Sequence, residues 1–180
     1  MSFARIVVFA SVLVAFAELN GRTVLAQESV IDPHTEFTFN EPVELPGVTL
    51  QPGTYVFRFA DANSSRKVME VVAKERRRKT YGLFATAMVR RARPADHAEV
   101  RFMETPADTN QAVRTWWYPG NSIGREFIYP KSQARRLAML TRSRVLTTKA
   151  ENVSNGDMQK ASLSYVSPSG EESPVTDDRG

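Results

Sequence analysis

The 180-residue chain contains no cysteine and only two histidines, His34 and His97. The absence of cysteine excludes a disulfide framework, a thiolate metal site and a lipid-modified N-terminal cysteine. Two histidines far apart in the sequence do not supply the ligand cluster of a metal site, so we expect neither a metal nor another cofactor. We also expect no serine nucleophile of the elbow type and no phosphate-binding loop, and therefore no catalytic residue.

No apolar run reaches the roughly 20 residues that a membrane-spanning helix needs. The run from Ile6 to Ala17 has 12 residues and follows the positively charged Arg5. Together with the small-residue sites that follow, it predicts a cleavable signal peptide over residues 1–26, cut after Ala26 or alternatively after Ala17. A buried or membrane-anchoring helix is the other interpretation. Export places the processed protein in the periplasm or outside the cell, with no transmembrane span.

Acidic and basic residues nearly balance. Removal of residues 1–26 takes away Arg5, Arg22 and Glu18 and leaves 22 basic and 19 acidic residues, a net charge of +3. This mild excess permits contact with an anionic polymer but does not require it. We expect no nucleic-acid binding, which would need basic and aromatic residues interleaved on one surface.

Short alternating segments separated by Pro and Gly dominate the middle of the chain. After an extended lead-in at 27–35, the pattern predicts one domain over 36–146, with strands at 54–60, 67–74, 80–89, 98–104, 113–118 and 126–129. The 67–74 and 80–89 segments are expected to pair as a hairpin, and Pro46-Gly47 and Pro52-Gly53 to form type II turns. Residues 131–140 are good helix formers behind a proline and predict one short helix.

The fold class predicted from this pattern is mainly β. The architecture is a single antiparallel β-sandwich or small barrel with one short C-terminal helix and a disordered tail. The tail covers residues 147–180, which are rich in polar and acidic side chains. A terminal strand at 161–166 is the alternative for part of it.

Two segments carry a resemblance to a known family. The run PGVTLQPGTYVFRF at 46–59 and the run WYPGNSIGREFIYP at 117–130 resemble a family of small exported bacterial proteins of unknown function. The resemblance covers roughly residues 34–140. It implies a β-rich exported domain and supplies no activity, cofactor or catalytic residue. The basic segment that joins the two central strands departs from the short Asp-Gly-type turn expected in the family.

Three adjacent aromatic residues and one glutamate are the candidate ligand-binding residues. On a strand, Trp116 and Tyr118 point to one face and Trp117 to the other. If Trp116 and Tyr118 face outward, they form a platform for sugar rings or peptide side chains; the alternative is that all three close a hydrophobic core. Glu126 is expected to lie near Arg125 or Arg114, either as a structural ion pair or as one carboxylate of a glycoside hydrolase.

A second candidate is a basic tip between the two hairpin strands, formed by Arg76, Arg77, Arg78 and Lys79. Such a tip can hold an anionic polymer, or can serve only as a solvated cap. The sequence therefore favours an exported, non-enzymatic β module, whose partner is a glycan, an anionic envelope polymer or another envelope protein. The alternative is a carbohydrate-active hydrolase that uses Glu126 with a second carboxylate. The oligomeric state is left open.

Overall fold

The computed structural model describes residues 34–60, 68–75, 80–148, 157 and 161–175. The predicted signal peptide and its two cleavage sites, most of the lead-in, the basic tip at 76–79 and parts of the predicted tail lie outside the described residues. All described residues belong to one compact unit, Ile31–Gly180.

The described residues form strands with one helix between the ninth and the tenth. In chain order these are β1 (Thr35–Phe39), β2 (Val43–Leu45), β3 (Val48–Leu50), β4 (Gly53–Phe59), β5 (Val68–Ala73), β6 (Thr80–Arg90), β7 (Glu99–Phe102), β8 (Gln111–Trp117), β9 (Ile123–Phe127), α1 (Lys131–Thr141), β10 (Val145–Thr148), β11 (Leu163–Val166) and β12 (Glu172–Pro174). The mainly β fold class with one helix is confirmed.

Nine strands form a large sheet and three form a small one. The large sheet has the order β1-β4-β5-β6-β9-β8-β2-β3, with β7 paired to β8, and the small sheet has the order β10-β11-β12. Neither sheet is closed, so the barrel alternative is wrong. One pair also departs from the antiparallel prediction, because β2 runs parallel to β8.

The main core lies on one face of the large sheet, here called the inner face, because apolar side chains at every second position of the strands point to that face. In β4, Tyr55, Phe57 and Phe59 are buried, as the alternation predicts. Strands β5 and β6 pair antiparallel, which confirms the predicted hairpin. Their register shifts between Val71 and Val72, so that Tyr81 is an extra residue on β6. Tyr81 and Leu83, which plain alternation would place on one face, therefore lie on different faces: Tyr81 packs against the core and Leu83 is exposed.

The large sheet curls around this core. The Phe39 ring of β1 lies 6.1 Å from the Phe102 ring of β7, between ring centroids. The indole Nε1 of Trp116 on β8 donates a hydrogen bond of 2.7 Å to Thr35 Oγ1 on β1. Strands from distant positions in the sheet order therefore meet across the core, although no ladder joins β1 to β7 or β8.

Turns and the helix follow their local sequence. Pro46-Gly47 connects β2 to β3, with Gly47 at φ 73°, the positive value that a type II turn requires. Gly53, at φ 157°, instead begins β4, so the second predicted turn is wrong. Helix α1 begins after Pro130, buries Ala134, Leu137 and Ala138, and ends at Arg142 in the left-handed conformation.

The predicted disordered tail is wrong for residues 161–175, which carry β11 and β12, and the alternative strand at 161–166 contains β11. The small sheet packs on the outer face of the large sheet. There Leu146, Leu163, Tyr165 and Val175 meet Ala85, Ala87 and Ile128 in a second apolar cluster. The polar composition of this segment predicts disorder, because its few apolar residues become buried only when they pack against another sheet.

Candidate functional site

Strands β8 and β9 hold the residues that the sequence singles out. Thr115 pairs with Glu126, and Trp116 pairs with Arg125. Because side chains alternate along a strand, Trp116, Tyr118 and Arg125 belong to the inner face, and Trp117 and Glu126 belong to the outer face. The prediction that Trp117 points away from its two neighbours is consistent with these contacts.

Trp116 does not form an exposed platform. Its side chain is 0% exposed, and its ring centroid lies 5.2 Å from that of Phe59 and 5.3 Å from that of Tyr118. Tyr118 is half-buried against the same cluster. The outward orientation of Trp116 and Tyr118 is therefore wrong, because the curl of the sheet turns this face of β8 toward β1 and β4. The Trp116 ring cannot stack on a sugar without unfolding of the core.

Trp117 is covered from both sides on the outer face. Its ring lies on Gly124, and the Arg91 guanidinium lies over it at 4.5 Å from the centroid. Arg91 and Arg101 both bind Glu99, at 2.8 and 2.5 Å. The hydrogen bond from Arg101 and the proximity of both guanidinium groups lower the pKa of Glu99. Trp117, 3% exposed, is thus part of a closed stack.

Glu126 is a buried structural carboxylate. It is 5% exposed, it accepts a hydrogen bond of 2.9 Å from Tyr165 Oη, and Arg114 Nε lies 3.5 Å from its Oε1. Of the two arginines expected to pair with it, Arg114 does so and Arg125 points to the other face. A glycosidase carboxylate must reach the bond that it cleaves, so this burial argues against a hydrolase that uses Glu126.

The sequence also contains a G-x-S-x-G pattern, Gly120 to Gly124, which the expectation of no nucleophile elbow overlooks. The structure places it in the connection between β8 and β9. A nucleophile elbow requires a strand followed by a helix, whereas this loop joins two antiparallel strands. No hydrogen bond joins the Ser122 hydroxyl to a histidine among the described residues.

Comparisons of the chain with protein-family models, curated proteins and solved structures returned no match.

The most basic continuous segment of the described chain lies on α1 and the turn that follows. Residues 131–148 contain five basic residues and no acidic one. Five exposed residues of this segment are here called the basic face: Arg135, Arg136, Met139, Arg142 and Arg144. The good helix formers predict the helix but not this face. The sequence signal for the face is the complete absence of Asp and Glu over 18 residues.

Neighbouring carboxylates neutralise only part of the basic face. Glu44 on β2 binds Arg136, and Glu172 on β12 binds Arg135 at 3.3 Å and the buried Lys131 at 2.9 Å. These ion pairs lower the pKa of Glu172, chiefly through the hydrogen bond from Lys131. Within the described part of the chain, Arg142 and Arg144 form no ion pair. Both are exposed.

A shallow groove lies on the outer face of β1, β4 and β5. It has a volume of about 400 Å³ and an apolar floor of Val56, Val72 and Ala73. The charges at its rim are already paired, Glu36 with Lys74 and Arg58 with Glu70. An ionic ligand would have to displace these pairs, so the groove offers no uncompensated charge for recognition.

Among the described residues, no group of three or more His, Asp or Glu side chains is placed to hold a metal ion. In the same part of the chain, no helix has both the length and the apolar character that crossing a bilayer requires.

Proposed function

We propose that this chain is an exported, non-enzymatic β module that binds an anionic polymer of the cell envelope through the basic face of α1. The observation that carries the proposal is the composition of residues 131–148, which contain five basic residues and no acidic one. Four of the five, Arg135, Arg136, Arg142 and Arg144, are exposed on α1 and the turn after it, while the other side of the helix is anchored in the core. Export itself is inferred from the N-terminal sequence.

The spacing of the charges suits a repeating polyanion. Arg135 and Arg142 are seven residues apart, about 10 Å along a helix at 1.5 Å per residue. This separation is close to the screening length at physiological salt, roughly 8 Å, and well within the roughly 30 Å at 0.01 M. Their potentials therefore add at low salt. Arginine is suited to this role because its planar guanidinium pairs with carboxylate and phosphate oxygens in a bidentate manner.

Met139 adds an apolar contact to the basic face. It is 66% exposed and lies between Arg135 and Arg142 in sequence. An exposed methionine flanked by arginines can cover the apolar part of a polymer repeat while the charges hold its acidic groups. A neutral glycan is a less suitable partner, because the aromatic residues first considered for stacking are buried or half-buried.

The test is retention of the protein on immobilised polygalacturonate, a carboxylate polymer, and polyphosphate as the salt concentration is raised. The test variant, Arg135→Gln with Arg142→Gly, removes two charges from the basic face. The matched control, Arg90→Gln with Arg93→Gln, removes two exposed charges at the end of β6 and in the loop beyond it. Circular dichroism confirms that both variants fold.

Wild type and control should elute at similar salt, and the test variant should elute earlier. The slope of log K against log salt should fall by about one for each lost contact. Equal losses in the two variants would assign retention to net charge alone and contradict the proposal. Absence of retention of the wild type on both polymers at 10 mM salt would also contradict it and would favour a protein partner.

A further inference from the structure

Arg125 is a buried cation in the main core. It is 5% exposed and projects from β9 onto the inner face, where its guanidinium carbon lies 5.3 Å from the centroid of the Phe59 ring. Trp116 and Tyr118 lie beside Phe59, with centroid distances of 5.2 and 6.1 Å. The guanidinium is therefore at the edge of an aromatic cluster, in a region of low polarity.

Among the described residues, this guanidinium has no anionic partner. Its Nε and Nη1 atoms are fully buried, and no described residue accepts a hydrogen bond from them. The neighbouring carboxylate of Glu126 lies on the opposite face of β9, where it binds Tyr165. No ion pair of the described residues includes Arg125. Burial accordingly lowers the pKa of Arg125, and the phenol of Tyr118 opposes this effect.

Two other shielded cations among the described residues have a carboxylate partner. Lys131, which is also buried, pairs with Glu172, and the half-buried Arg91 pairs with Glu99. A buried charge without a partner is strongly unfavourable, and a cation–π contact with one ring offsets only a small part of the lost hydration. A site that retains such a charge is a candidate for binding a complementary group from outside.

We propose that Arg125 binds the carboxylate of a small organic monoanion, whose apolar part contacts Tyr118 at the half-exposed edge of the aromatic cluster. A single negative charge balances the single positive charge. A phosphate dianion would leave one charge unbalanced in the same apolar surroundings, where unpaired charge is costly. Tyr118 is the half-exposed member of the cluster, so the ligand reaches Arg125 from its side.

The experiment measures the thermal unfolding midpoint of the full chain against benzoate, butyrate and inorganic phosphate, with sodium chloride replaced to hold ionic strength constant. Benzoate should raise the midpoint in a saturable manner, and phosphate should not. In Arg125→Met the apparent affinity for benzoate should fall at least tenfold, while the midpoint without ligand stays equal or rises. Arg91→Met, which removes another arginine stacked on an aromatic ring, should keep the benzoate response.

Several results would overturn the proposal. They are a wild type that responds to neither carboxylate, an Arg125→Met variant that responds as the wild type does, and a response to phosphate alone. If Arg125→Met does not fold, Arg125→Lys replaces it, because lysine keeps the charge but lacks the planar fork. Arg125→Lys should then bind benzoate more weakly, and an unchanged affinity would overturn the proposal.

Discussion

Replacement of Gly124 by alanine tests the contact that fixes β8 against β9. A Cβ atom at this position would lie 2.5 Å from Cδ2 and Cε3 of Trp117 and 2.9 Å from the backbone oxygen of Trp116. Overpacking of a core typically costs about 1–3 kcal/mol. Here one of the atoms in contact belongs to the sheet backbone and cannot move without loss of hydrogen bonds between the strands. We therefore expect the free energy of unfolding to fall by about 3 kcal/mol. For a domain of this size, that loss lowers the unfolding midpoint by about 6–12 °C.

The matched control is Gly82→Ala on β6. Its Cβ would meet Phe84 Cζ at 2.8 Å, the far end of a side chain that can shift. We expect a loss of about 1 kcal/mol or less. Thermal and urea unfolding followed by circular dichroism measure both variants. In a Trp117→Phe background, where a smaller ring makes room, the cost of Gly124→Ala should fall by about 1 kcal/mol. Equal costs in the two backgrounds would refute the assignment of the clash to Trp117.

Three further predictions concern the small sheet and α1. Tyr165→Phe removes a hydrogen bond to the buried Glu126 carboxylate and should cost about 1–3 kcal/mol in urea unfolding; a neutral result would show that the carboxylate is satisfied without it. The ion pairs of Glu172 lower its pKa in the folded state. They therefore stabilise the fold fully at pH values above the unfolded-state pKa of about 4.3, and this stabilisation is lost as the pH falls through the lower folded-state pKa. The difference between wild type and Glu172→Gln should therefore disappear in acid, and a pH-independent difference would contradict this. Arg142→Gly relieves a left-handed residue at φ 50° and should raise stability by about 0.5–1 kcal/mol in thermal melts; a loss would mean that the Arg142 side chain holds the helix end.

Strand positions could be predicted from sequence where one face of a strand is buried. The alternation of Tyr55, Phe57 and Phe59 gives β4 and its core face, because a one-residue slip would expose all three rings. The helix follows from Pro130 and the helix formers behind it. The β-bulge at Tyr81 gave no such signal, since an extra residue in one strand depends on the pairing partner and not on the local sequence.

The side of β8 that faces the core could not be predicted in the same way. Both faces of this strand carry tryptophan, and alternation shows only that Trp116 and Trp117 diverge. Trp116 is buried by Thr35 and Phe59, which are far away in the chain. Trp117 is buried by arginine side chains that lie over its ring, and composition alone treats such residues as solvent-exposed. Long-range contacts therefore decide the roles of both rings.

Folding contacts occupy Trp116, Trp117 and Glu126 on β8 and β9. A surface that binds a polymer must therefore lie on other elements. Helix α1 meets this condition because contacts from both sheets fix its orientation. Gln133 binds the β2–β3 hairpin through Glu44 and the Gly47 amide, and Lys131 binds Glu172 of the small sheet. A helix held at two sides loses little conformational freedom when its exposed charges bind a ligand. Charges fixed on such a helix therefore bind a polymer at a lower entropic cost than charges on a flexible loop.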